Sequence, residues 1–232
     1  MLADAEPLYD RDDWWRPGAR VFASLRSVAN TGLRLLDEWV GSEWYGRNVV
    51  DLGCGGGLLS VPLARRGAAV LGVDLAHGAL RAARREEPGG WLAVAGDLAD
   101  PPVVPGRTDV VLLSDVIEHV DDPALVMRQA ASLLRPGGHL YVSTIARTWR
   151  SRWLAIRLAE GLGFVPRGTH SWESFVNPDE LEAMAHAAGL RSVAARGHAP
   201  RIFATLWRRA IVLRKSRSLA LSYSMLFGKD RD

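Results

Sequence analysis

Cysteine is almost absent from this chain, which has one among 232 residues. Because Cys54 stands alone, an internal disulfide is excluded, and nothing indicates an oxidising compartment. No second thiol or adjacent histidine accompanies it, so we do not expect Cys54 to act as a nucleophile.

Long apolar runs are also lacking. No stretch of 18 or more apolar residues occurs, which argues against a transmembrane helix. The acidic opening 1–6 has neither the basic nor the apolar part of an export signal. We therefore expect a cytoplasmic protein.

Strong net charge is the third absence, since the formal value is only +3. The basic residues nevertheless crowd into 147–167 and 201–217. A basic tail attracts nucleic acid, but no nucleic-acid-binding module is recognisable, so we expect no nucleic-acid partner. The length suits one α/β domain with appendages.

A glycine-rich stretch is the most informative feature that is present. The apolar run 49–52 is followed by four glycines within residues 53–57, and then by an amphipathic segment. This order predicts a strand, a tight turn and a helix that opens towards a bound ligand. Leu58 replaces the third glycine of a dinucleotide fingerprint. Asp74, which ends the next apolar run, is placed to bind ribose hydroxyls, as either NAD or S-adenosylmethionine would require.

Four residues of this stretch follow the pattern D-x-G-x-G-x-G: Asp51, Gly53, Gly55 and Gly57. The pattern resembles motif I of the class I S-adenosylmethionine-dependent methyltransferases, and Asp74 closes their motif II. The resemblance implies an α/β fold with a doubly wound, Rossmann-like, seven-stranded sheet. It also implies that Asp97, beyond the predicted third strand 91–95, binds the adenine amino group, with Asp100 as its rival.

A more particular likeness lies further along the chain. Residues 165–170 and 175–178, together with the pair Trp14 and Trp15, resemble the 3-demethylubiquinone O-methyltransferase family of the ubiquinone pathway. The resemblance covers about residues 14–227. It implies four contacts to S-adenosylmethionine, from Arg34, Gly53, Asp74 and Ser114.

An acidic cluster follows the predicted fourth strand. Asp115, Glu118 and His119 stand where some members of that family carry Glu-x-x-Glu-His, an element that holds a divalent cation. Such a set suits Mg²⁺ or Zn²⁺. A phenol with a pKa of about 10 must also lose its proton during methylation, so Glu118, His119 and His170 are the candidate bases. The alternative is a purely structural cluster at the start of a helix.

The chain should divide into an N-terminal helical lid, 1–45, and a methyltransferase domain, 46–232. Within the domain, segment 147–170 is predicted to be an amphipathic insertion in which tryptophans alternate with arginines. Such a segment suits an anionic membrane surface, although a cover over the pocket explains it equally well. Trp14 and Trp15 either pack over the pocket or form an edge of the core.

These observations predict an O-methyltransferase that acts on a hydroxyl of a prenylated catechol or quinone-pathway intermediate. The acceptor would be aromatic and lipophilic, and the enzyme would attach peripherally to the inner face of the membrane. Two alternatives stay open. One is a methyltransferase for a soluble phenolic or natural-product intermediate, and the other is a non-catalytic cofactor- or lipid-binding member of a biosynthetic complex.

Overall fold

The computed structural model describes residues 9–16, 20–87, 89–153 and 171–231, with the side chains of 20 and 21 omitted. His170 and most of the predicted insertion 147–170 therefore lie outside the described residues. No described helix is both long enough and apolar enough to cross a membrane.

Within the described residues, eight strands form one mixed sheet in the order β3-β2-β1-β4-β5-β8-β6-β7. The strands are β1 Asn48–Leu52, β2 Ala69–Asp74, β3 Trp91–Ala95, β4 Thr108–Ser114, β5 Leu134–Ile145, β6 Leu190–Pro200, β7 Leu213–Ser216 and β8 Ser222–Lys229. β1 to β5 are parallel, whereas β8 runs antiparallel between β5 and β6. The order reverses at β1 and β4, and ligands bind at such switch points.

The predicted fold class is confirmed, with one strand more than the seven implied. The additional strand, β7, pairs antiparallel with the edge of β6. Residues 202–213 have no single apolar period because a helix ends among them, at Arg209 in a left-handed conformation with φ 48°. Arg214 and Lys215 are exposed on this short edge strand, where charge discourages pairing with another chain.

The helices of the described part are α1 Arg20–Trp39, α2 Ser60–Ala64, α3 His77–Glu86, α4 Pro123–Leu133, α5 Trp149–Ser151, α6 Pro178–Ala187 and α7 Ile202–Arg208. Short 3-10 turns span Ile117–His119 and Trp172–Ser174. α4 is capped at its start by Asp122, which accepts a hydrogen bond from the backbone N–H of Leu125 at 2.9 Å. In the N-terminal region, α1 is a single helix of 20 residues.

The core occupies both faces of the sheet. In β4, Val111 and Leu113 belong to the cluster under α4, whereas Val110 and Leu112 belong to the cluster under α1 and α2. Strand side chains alternate between faces, so a strand buried on both sides reads as the continuous apolar run seen in the sequence. This packing holds the carboxyl ends of β1, β2, β4 and β5 around one cavity.

Candidate functional site

A cavity of about 1210 Å³ lies at the carboxyl ends of the parallel strands. Segment 9–14, α1 and α7 contribute to its walls, as do β6 and β8. It brings together nine of the residues predicted from the sequence: Asp51, Gly53, Gly55, Asp74, Asp97, Ser114, Asp115, Glu118 and His119. A volume of this size exceeds the roughly 300–1,000 Å³ of a typical ligand site, so it suits two ligands bound together.

The glycine turn forms one end of this cavity. Gly53 and Gly55 have φ values of 77° and 49°, which side chains with a Cβ rarely adopt. A Cβ on Gly55 would lie 2.7 Å from the ring of Trp14. Gly57 also has a positive φ, and its N–H donates to the Cys54 carbonyl at 2.8 Å, so it closes the turn from outside the cavity. The bare backbone of the turn is the cradle that a nucleoside-bearing donor needs.

Asp74 ties the turn to the end of β2. Its Oδ2 accepts the N–H of Gly55 at 2.7 Å, and its Oδ1 accepts the N–H of Ala76 at 2.8 Å. Burial raises the pKa of the Asp74 carboxyl. Each carboxylate oxygen retains a second lone pair, so Asp74 can hold the turn and still accept a ribose hydroxyl.

Asp51 lies deeper, beneath the turn. It is buried, and its Oδ2 accepts a hydrogen bond from the Ser60 hydroxyl at 2.5 Å. Burial raises the pKa of Asp51 to about 7. The bond joins the end of β1 to the first residue of α2, and it thereby fixes the two elements that flank the turn.

Aromatic side chains cover the turn from the N-terminal side. Trp14 is buried and stacks on Phe22 with ring centroids 4.4 Å apart, while the Trp15 indole N–H donates to the Gly56 carbonyl at 2.7 Å. Arg26 donates to the Trp14 carbonyl at 2.6 Å. Trp14 lines the cavity and is buried in a core cluster, and Trp15 packs against the same cluster without lining the cavity.

The acidic cluster follows β4 and lines the same cavity next to the glycine turn, where a Cβ on Gly53 would clash with Val116. Asp115 has a φ of 54°, unusual for a residue other than glycine. Glu118 is buried and accepts the Thr144 hydroxyl at 2.8 Å. Burial raises the pKa of both carboxyls, and for Asp115 the neighbouring Glu118 raises it further. Because like charges this close oppose joint ionisation, the pair is suited to holding and releasing a proton.

His119 turns towards the N-terminal segment. Its ring meets that of Tyr9 edge-on, with centroids 5.8 Å apart, and burial lowers the pKa of His119. Among the described residues, no three His, Cys, Asp or Glu side chains are grouped so that they could hold a metal ion. The predicted cation site of Asp115, Glu118 and His119 is therefore not supported. In the 3-10 turn after Val116, the Glu118 side chain contacts Thr144 and the His119 ring contacts Tyr9. The two side chains therefore do not approach a common ligand position.

A row of buried polar groups, which we call the hydroxyl row, forms one wall of the cavity. The Tyr141 hydroxyl lies 2.9 Å from Ser224 Oγ, which lies 2.9 Å from His198 Nε2. Next to them, Ser143 Oγ lies 2.9 Å from Ser114 Oγ. Burial, with Arg196 and Lys215 nearby, lowers the pKa of His198 to about 4, so its imidazole is neutral at pH 7. Sequence reasoning missed Tyr141, His198 and Ser224 because they lie on β5, β6 and β8, and no local pattern connects them.

Comparison with known proteins agrees with this geometry. A model of the methyltransferase domain matches residues 20–195. The chain belongs to the methyltransferase family. The ubiquinone biosynthesis O-methyltransferase of Ralstonia nicotianae is 41% identical over 191 residues, covering 79% of this chain and 78% of that protein. The protein of the same name from Bordetella bronchiseptica is 42% identical with the same coverage.

A solved structure supports the fold alone. An S-adenosylmethionine-dependent methyltransferase from Thermotoga maritima superposes with a TM-score of 0.69 at 19% identity, covering 99% of this chain and 100% of that one. The family predicted from the sequence is thus confirmed. The protein is a methyltransferase enzyme of the S-adenosylmethionine-dependent class, as the resemblance of its glycine-rich stretch and Asp74 to motifs I and II implied.

Of the two remaining predicted donor contacts, Arg34 and Asp97, only Asp97 lines the cavity. Arg34 is exposed on α1, and its guanidinium lies 3.4 Å from the Thr31 hydroxyl one turn earlier. Thr31 lines the cavity, but Arg34 does not. Asp97 lines it and is largely open to solvent, with one carboxylate oxygen accepting the Ala99 N–H at 2.9 Å. Its rival, Asp100, is not part of the wall.

Proposed function

We propose that this methyltransferase transfers the methyl group of S-adenosylmethionine to a phenolic hydroxyl of a quinone precursor that carries an apolar chain. The relatives named for ubiquinone biosynthesis support the reaction and the pathway. The observation that carries the proposal for the site is that the carboxyls of Asp115 and Glu118 line the same cavity as the glycine turn.

The donor would bind at the glycine turn. Gly53 and Gly55 offer bare backbone, Asp74 would accept the ribose hydroxyls, and Asp97 would accept the adenine amino group. Ser114, at the end of β4, faces the same space. Trp14 and Trp15 would cover the bound donor and keep water from the reacting atoms. Arg34 is left out of this set because it does not line the cavity.

When bound, S-adenosylmethionine supplies a methyl carbon on a sulfonium, and that C–S bond breaks as the acceptor oxygen forms its new C–O bond. The chain's own residues align the acceptor and remove its proton. We assign the proton to the pair Asp115 and Glu118, because a base works best when its pKa lies near the working pH. His198, with a pKa of about 4, is too weak a base for this step, so it would orient the acceptor through the hydroxyl row.

A divalent cation takes no part in this proposal. Glu118 directs one oxygen to Thr144, and His119 packs against Tyr9, so the described side chains do not converge on a common ligand position. The hydroxyl proton can instead pass directly to the carboxyl pair.

An anionic membrane surface is proposed as the place where the acceptor is collected. Large apolar side chains beside the acceptor end are strongly exposed, notably Trp207 at 90% and Phe203 at 91%. Arg201 and Arg208 flank them on α7. Exposed aromatics among cations suit the interface of an anionic bilayer. Flotation with anionic liposomes tests this, and Trp207→Ala with Phe203→Ala should reduce binding, whereas Leu92→Ala, an exposed control on β3, should not.

The activity test combines the purified enzyme with S-adenosylmethionine and a catechol, and product is detected by mass spectrometry. We expect a methyl ether on one hydroxyl. An enzyme that binds the donor but methylates neither plain nor alkylated catechols would refute the proposal. Mass spectrometry of the quinone precursors that accumulate in a deletion strain would then identify the acceptor.

A further inference from the structure

A second, smaller cleft of about 430 Å³ opens on the outside of the protein next to the acceptor end. We call it the outer cleft. Trp149 and Trp153 form its rim, Ala220 lies within it, and His198 and Leu221 form its inner side. The two tryptophans are 72% and 60% exposed, although tryptophan contributes most when its large ring is covered.

His198 and Leu221 also line the main cavity, so the wall between the two spaces is one side chain thick. The backbone of this wall is fixed. The Thr148 hydroxyl donates to the Ala220 carbonyl at 2.6 Å, and the Ala146 N–H donates to the Leu221 carbonyl at 2.9 Å. His198 is held by Ser224 at 2.9 Å. The Leu221 side chain has no polar tie, so a change of its rotamer would join the two spaces.

Apolar side chains line the spaces on both sides of Leu221, and Ser216 and Ser218 add hydroxyl groups to the outer cleft. On the inner side, Ile202, Leu206 and Leu213 line the main cavity, and the indole rings of the rim lie on the outer side. The Arg150 guanidinium stands over the Trp149 ring at 5.4 Å from its centroid, which leaves the charge at the rim rather than in the passage. An alkyl chain would gain contact with apolar surface along this path.

We propose that the outer cleft binds the apolar chain of the acceptor, which passes beside Leu221 while the aromatic head reaches the carboxyl pair. This inference rests on the proposed function. The ligand class is a long branched or linear hydrocarbon attached to an aromatic ring. The assignment explains why tryptophans are exposed on a turn that is otherwise firmly hydrogen-bonded to the sheet.

The test compares a plain catechol with the same catechol bearing a geranyl chain, in buffer without lipid. Because no lipid is present, a difference in KM between the two acceptors reflects binding of the geranyl chain by the protein and not its uptake into a bilayer. Ala220→Phe fills the outer cleft without entering the main cavity. We expect it to raise KM for the geranyl catechol about tenfold or more, the scale of a few lost apolar contacts, and to leave KM for plain catechol unchanged.

Two further variants complete the experiment. Leu221→Ala opens the wall and should lower KM for the geranyl acceptor. Val104→Phe adds the same bulk at a position 64% exposed and outside both spaces, and it should change neither KM. Equal effects of Ala220→Phe on both acceptors, or no effect on either, would overturn the inference while the proposed function stands. A wild-type enzyme inactive on both acceptors would overturn the two together.

Discussion

The two ends of the cavity are built in different ways. The donor end is mainly backbone: consecutive residues 53–57 form it, and Asp74 holds it through main-chain N–H groups. The acceptor end consists of side chains from strands far apart in the sequence, such as Tyr141 and His198. Changes at the donor end should therefore abolish binding of the methyl donor, whereas changes at the acceptor end should alter which acceptor is used and how fast.

The largest effect is expected where the two ends meet, at the carboxyl pair. Glu118→Gln keeps the shape and the Thr144 contact but removes a proton acceptor, so kcat should fall about 10²- to 10⁴-fold. Calorimetry should find the affinity for S-adenosylmethionine unchanged, because the residue belongs to the acceptor side. Full turnover in this variant would remove Glu118 from the mechanism.

The same pair sets a pH dependence. Burial raises the pKa of both carboxyls, so they stay protonated to a higher pH than exposed ones, and a protonated base is inactive. The rate of the wild-type enzyme should therefore rise with pH through the neutral range. An acidic limb at the ordinary carboxyl pKa of about 4 would contradict the assignment.

The next effect tests whether the donor end depends on bare backbone. Gly53→Ala places a Cβ against Val116, at a φ of 77°. Donor affinity should fall at least about tenfold, since the turn must shift, while strain alone costs about 1–2 kcal/mol of stability. Gly46→Ala is the matched control, because its φ is 73° and no neighbouring atom lies within 4 Å. It should lose similar stability and keep its donor affinity, and equal affinities in the two variants would refute the distinction.

The smallest effect is expected from removing a single tyrosine hydroxyl of the cavity wall, and two buried tyrosines allow a comparison. Tyr141→Phe removes a hydroxyl from the hydroxyl row. Tyr223→Phe removes a hydroxyl that donates to the Val176 carbonyl at 2.9 Å instead. Each loss should cost about 1 kcal/mol of stability. Only Tyr141→Phe should also raise KM for the acceptor, by about three- to tenfold. Steady-state kinetics on both variants decide this, and a shared KM change would assign the row a structural role only.

Much of the donor end could be predicted from the sequence. The strand, turn and helix around residues 53–57 follow from local apolar periodicity and from glycine, and Asp74 follows from its place after the next strand. The cation site is not supported for a geometric reason, because the 3-10 turn at 117–119 separates the side chains expected to hold the ion. Arg34 is exposed on α1 and does not line the cavity, so its contact with the donor stays a prediction.

The acceptor end could not be predicted in the same way. Tyr141 and Ser224 meet because β8, late in the chain, inserts antiparallel between β5 and β6. No local sequence pattern around Tyr141 or Ser224 predicts that β8 lies between β5 and β6. The carboxyl pair could be predicted only in part. The sequence identified Asp115 and Glu118, but their raised pKa values arise from burial that only the packed core provides.

The amino-acid sequence by itself determined the successive strands, the glycine turn and the acid after the second strand, and the resemblance of these residues to a known family implied the class of the methyl donor. The strands and the turn depend on interactions between residues close in the chain, which apolar periodicity and glycine spacing record directly. Only the tertiary structure decided how the cavity ends in the hydroxyl row, which carboxyls are buried together and where the outer cleft lies. Those features arise from contacts between distant strands, whose register is fixed by packing of the whole sheet.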